Sequence, residues 1–110
     1  MIKPGVTAAI QRTHETFARL IETTSAADLS GSVACELRRL KILLRADLLN
    51  PDVMDRALEV LPQLVAATRH FQMLAQAMGS TTALDVAVAS HDAALRAVDA
   101  LCGLVDLVVG

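Results

Sequence analysis

An all-α fold, an antiparallel up-down four-helix bundle with short loops, is what the sequence predicts, and three observations predict it. Strand-like alternation is nearly absent, apolar residues recur at three- and four-residue spacing through four long segments, and cap or turn residues interrupt that spacing only between them. With 110 residues the chain fits a single domain, residues 1–110, large enough to bury a core without disulfide or metal staples.

The first helix is expected from about Pro4 or Thr7 to Thr24, where Val6, Ile10, Thr13, Phe17 and Leu20 step by four, three, four and three. The next boundary is Ser-Ala-Ala-Asp, with Ser25 as N-cap and Asp28 near the positive helix end. A second helix then carries Leu29, Val33, Leu37, Leu40, Leu44 and Leu48 on one seam. Gly31 weakens its first turns by about 1 kcal/mol relative to Ala, which allows the start to slip to Ser32.

Asn50-Pro51-Asp52 caps and opens a third helix that runs to Met78, with Val53, Ala57, Val60, Leu64, Phe71, Ala75 and Met78 on one side. Pro62 falls inside it, removes the bond to the carbonyl of Leu58 and predicts a kink there. Gly79 supplies the left-handed residue that ends it. Thr82 as N-cap, with Asp85 three residues on, then opens a fourth helix that runs nearly to the C-terminus.

That last helix is greasy except for Asp85, Asp92, Asp99 and Asp106, spaced by seven. Seven residues advance about 10.5 Å along a helix, too far for neighbouring carboxylates to share one metal ion. The spacing also exceeds that of paired carboxylates acting on one bond, except at the outer limit for an inverting glycosidase. A membrane span is opposed by Asp92, Arg96, Asp99 and Asp106, because central charges each cost about 2.5 to 3.5 kcal/mol on insertion. The row therefore reads as a solvated edge.

With Leu84 at heptad position a, the core face is expected to be column a (Leu84, His91, Val98, Val105), column d (Ala87, Ala94, Leu101, Val108) and column e (Val88, Leu95, Cys102, Val109). Column c is apolar as well, and its Val86 and Leu107 are left over. The second helix has a similar excess in Ile42, Leu43 and Leu49, beside a basic stripe of Arg38, Lys41 and Arg45. These eight residues are the candidate interface for a homodimer or a helical protein partner, with the basic and acidic stripes setting register.

The bulk composition agrees. The hydrophobic fraction is 54%, above the range usual for a soluble domain, and the charged fraction is 20%, below it, so more apolar surface exists than one small domain hides. A net charge of −2, a pI near 5.8 and only two aromatic residues, Phe17 and Phe71, argue against nucleic-acid binding. Cys35 and Cys102 fit no ligand spacing and read as small core residues of a reducing compartment. The opening MIKPGVTAAIQRTHE does not read as a secretory signal, which leaves a cytoplasmic, bacterial-type protein as the expectation.

No cofactor or metal set is expected. Glu15, Glu22, Glu36 and Glu59 lack the histidine three residues on that di-iron bundles need. No nucleophile–base pair or glycine-rich phosphate loop is present, so the chain does not read as an enzyme. His91 is expected as a neutral, hydrogen-bonded core histidine. His70 falls on the polar flank beside Arg56 and Gln63, in RHFQMLAQAMG. Over about ten residues this segment resembles histidine-phosphotransfer domains, with Met73 and Leu74 where those domains carry Lys and Gly. The resemblance implies His70 as a phosphoryl acceptor. A further alternative is a small apolar ligand held near Pro62 by Leu, Val, Met73 or Met78. The expected function is non-enzymatic protein interaction of an adaptor or chaperone-like kind.

Overall fold

The computed structural model describes residues 5–25 and 32–109. Four helices occupy them: α1 Val6–Ser25, α2 Ser32–Leu44, α3 Pro51–Met78 and α4 Thr81–Val109. The chain is thus an all-α four-helix bundle, and no strand occurs among the described residues. Pro4, Asp28, Leu29 and Gly31, which bear on the expected starts of the first two helices, lie outside the described residues.

Two boundaries of the first two helices differ from expectation. Ser25 is the last residue of α1 rather than the cap of α2. α2 stops at Leu44, before Leu48, because Arg45 and Ala46 donate to the carbonyls of Ile42 and Leu43 and tighten the last turn. The Asp47 carboxylate then accepts from the Leu49 amide at 3.0 Å, and the turn still delivers Leu48 into the core.

α3 begins and ends where its signals place it. Asn50 is extended, and its side chain accepts from the Asp52 amide at 2.9 Å, with Pro51 first in the helix. At the other end Gly79 has φ 71°, Gly79 donates to the Gln76 carbonyl, and Ser80 donates to the Ala75 carbonyl. Ser80 also caps α4, since its hydroxyl accepts from the Ala83 amide. The cap is therefore Ser80 and not Thr82, which keeps the α3–α4 connection to two residues and forces a tight hairpin. α3 passes through Pro62 without a break. Leu58 and Pro62 are both exposed, so the unpaired Leu58 carbonyl lies on the solvent side of the helix.

The bundle is a square in chain order: α1 packs on α2 and α4, α3 packs on α2 and α4, and the diagonal pairs do not approach closely. Ala9 of α1 shares a groove with Gly103 and Asp106, whereas Thr16 and Arg19 share one with Ala93 and Arg96, so α1 and α4 are antiparallel. The Thr13 hydroxyl, bonded to the Ala9 carbonyl at 2.7 Å, also lies 3.4 Å from the carbonyl of Ala100. Overall dimensions of 52 × 20 × 19 Å suit two layers of helices about 10 Å apart.

The helices are unequal. At 28 and 29 residues α3 and α4 are about 42 Å long, whereas α2, at 13 residues, is about 20 Å. Large side chains fill the part that all four helices share, chiefly Phe17, Leu20, Leu40, Leu43, Leu48, Leu61, Leu64, Leu101 and Leu104. Toward the hairpin turn only small or polar residues are buried: Thr68, Ala75, Ala87 and Ser90.

Candidate interaction surface on helix four

The buried face of α4 is rotated from the expected one. Ala87, Ser90, Ala94, Ala97, Leu101 and Leu104 are fully covered, which is column g together with column d as far as Leu101; Val108, expected in the core, is 40% exposed. Ala93 and Ala100 of column c are covered too, because α1 lies over the middle of that column. Column a is half-buried at every position, and column e is exposed at every position. The physical reason is helix spacing. α4 has neighbours on two sides, and backbones that approach closely select Ala and Ser at the contact, leaving the larger Val and Leu columns outside.

Columns a and e together form a second heptad stripe: Leu84, Val88, His91, Leu95, Val98, Cys102, Val105 and Val109, stepping by four and three in alternation. Val88 is 46% exposed, Leu95 47% and Val109 78%. The stripe covers 25 residue steps, about 37 Å of helix. On α3, Leu58, Pro62, Val65, Arg69 and Gln72 step by four, three, four and three along the flank turned away from α2, whose contacts are with Val53, Arg56 and Val60. The two stripes form the outer α3–α4 face, opposite α1 and α2. Beside them, a polar contact links α3 to α4: the Thr68 hydroxyl lies 3.1 Å from His91 Nδ1. The same hydroxyl lies 2.9 Å from the Leu64 carbonyl and 3.0 Å from the Val65 carbonyl, so Thr68 is satisfied in its buried position.

Asp85, Asp92, Asp99 and Asp106 are all exposed, as a solvated edge requires. Each precedes a column-e residue by three, so the row borders the apolar stripe along its whole length. Asp92 pairs with Arg96 at 3.1 Å, and no other member of the row has an ion-pair partner among the described residues.

The sequence-derived interface residues are dispersed. Val86 is half-buried and Leu107 is 40% exposed, at the two ends of column c, where Leu107 shares a groove with Ala9 and Arg12 of α1. Ile42 is 70% exposed and stands among exposed Arg38, Lys41 and Arg45. Leu43 was expected outside the α2 seam but is a core residue, 5% exposed, and Leu49 is half-buried against the core; neither offers a free surface. α2 and α4 occupy diagonal corners, so the basic and acidic stripes do not meet within one chain.

Cys35 and Cys102 are free and exposed, contrary to the expected core placement. Met73 and Met78 are 62% and 77% exposed, so they face solvent and not a ligand cavity beside Pro62. His70 is exposed, as its wheel position requires. A groove of about 290 Å³ between α2 and α3 is spanned by Arg39, which reaches Glu36 at 3.1 Å and Glu59 at 3.5 Å, an ion network that ties the two helices. Among the described residues no three His, Cys, Asp or Glu side chains converge as a metal site. No described helix is long and apolar enough to cross a membrane. No family model, curated protein or solved structure matches the chain.

Proposed function

We propose that this chain is a non-enzymatic helical interaction module, an adaptor or chaperone-like protein that docks a helix, from a second copy or from another protein, against α4. The observation that carries this reading is the second heptad stripe, seven of whose eight residues are apolar, with its column-a half only partly covered and its column-e half exposed along the whole helix. A helix patterned on two faces is patterned for two sets of neighbours, and an exposed apolar band of this length marks an interaction site on a small soluble protein. Ile42 and Leu107 add apolar exposure elsewhere. Two free cysteines support a reducing compartment such as the cytoplasm.

An absolute mass measurement in dilute solution, combined with binding of an apolar fluorescent dye, tests the reading. The expected result is either a dimer or a monomer that binds dye, in both cases altered by Leu95→Asp. A clean monomer without dye binding contradicts it.

A further inference from the structure

We infer that the occupant of the outer α3–α4 face is an amphipathic helix of another protein, basic along one flank only, and not a second copy of this chain. The inference rests on the interaction reading and takes it further by assigning the chemistry of the partner. The deciding feature is the rim. On the side of the stripe away from α3 stand four exposed carboxylates, Asp85, Asp92, Asp99 and Asp106, and only Arg96 answers one of them. On the other side lies α3, whose rim offers Leu58, Pro62 and Val65, then Arg69 and Gln72.

An antiparallel self-pair through the stripe brings like rims together. Asp85 then faces Asp106 of the second copy and Asp92 faces its Asp99, so four carboxylates from each copy line one seam. Like charges at such flanking positions repel, and coiled-coil flanks use this repulsion to reject partners. A parallel self-pair sets each aspartate row against the α3 rim, where Arg69 is the one basic residue, and leaves most of the row unanswered. The chain's own basic stripe does not solve the problem either. Around Arg38, Lys41 and Arg45, α2 presents Ile42 as the one exposed large apolar side chain among its described residues, too little to fill an eight-residue stripe. An α2-to-α4 contact would also be head-to-tail, which yields a ring or an open chain of copies. An anionic lipid surface meets the same aspartates and is repelled.

A separate helix satisfies both rims. Its apolar residues at three–four spacing enter between columns a and e of α4 and the Leu58–Val65 side of α3. Its Lys or Arg residues, on one flank, run beside the aspartates. Its other flank, over Arg69 and Gln72, is polar or acidic. The charge pattern therefore fixes which way round the helix lies as well as which helices are accepted.

The test uses the full chain and two synthetic three-heptad peptides with Leu at the seam positions and Gln along one flank. The other flank carries Lys in one peptide and Glu in its twin, and binding is followed by fluorescence anisotropy at low and high salt. The Lys peptide is expected to bind, with affinity falling as salt rises, and the Glu twin to bind at least about tenfold more weakly. Leu95→Asp should abolish binding of both. The double variant Asp99→Lys/Asp106→Lys, checked for unchanged helicity, should reverse the preference between the peptides. Equal binding of the two peptides, or an unchanged preference in the double variant, overturns the basic-partner assignment while leaving a docking face. A chain that is dimeric, and that Leu95→Asp makes monomeric, shows a second copy on the face: the inference fails and the interaction reading stands. If neither peptide binds, and the chain is a monomer that binds no apolar dye, both fail.

Discussion

Ser90 shows at the scale of one residue how α4 was assembled. Its hydroxyl is fully buried without a hydrogen-bond partner among the described residues, in a column otherwise made of alanine and leucine. An unpaired buried hydroxyl costs stability, and Ala fits the same space. Ser90→Ala is therefore expected to stabilise the fold by about 1 kcal/mol in urea unfolding. A loss of that size would mean that Ser90 has a partner the packing does not reveal. Gly103 argues in the same direction. It sits inside α4, exposed, and a Cβ there would meet nothing within 4 Å. Gly103→Ala should gain about 0.5 to 1 kcal/mol by restricting the unfolded chain and favouring helix. Gly79 is the opposite case, because its φ of 71° strains any residue bearing a Cβ. Gly79→Ala is expected to cost about 1 to 2 kcal/mol in the same unfolding assay.

At the scale of elements, what could be read in advance depended on whether a signal was local. Asn50, Pro51 and Gly79 act through their own backbone geometry, and both ends of α3 fall where they point. The start of α4 was displaced from Thr82 to Ser80, because Ser80 is reached first after Gly79 and serves both helices at once. The bounds of the interaction surface were less legible. Heptad spacing identifies the columns of α4 but does not say which of them face neighbours, and side-chain size pointed the wrong way. Val88, Leu95 and Cys102 looked like core, whereas Ala93 and Ala97 were the positions that close helix contacts require. Leu43 was misplaced for a related reason: α2 turns toward α3, so its buried face is centred between the two apolar columns and not on one. Truncation should expose this division of labour. Leu101→Ala, in the shared core, is expected to cost about 2 to 5 kcal/mol. Leu95→Ala, half-exposed already, should cost much less in the isolated chain while weakening any complex formed at α4.

For the molecule as a whole, the composition was informative in kind and silent on place. A surplus of apolar residues on 110 positions implied that something stays uncovered. The square arrangement of unequal helices decides what. α1 and α2 cover one face of the α3–α4 hairpin, and the opposite face keeps its apolar stripe and an acidic rim. The two cysteines make this testable inside one molecule, since Cys102 lies in the stripe and Cys35 lies on α2, and both are exposed. The most direct measurement is the rate of thiol modification at each cysteine, resolved by peptide mapping, with and without the Lys-flanked helix at saturating concentration. A helix docked on the outer α3–α4 face should slow modification of Cys102 by about tenfold or more and leave Cys35 unchanged. Equal rates at Cys102 with and without the bound peptide, or equal slowing at both cysteines, would contradict the assignment of that face as the docking surface.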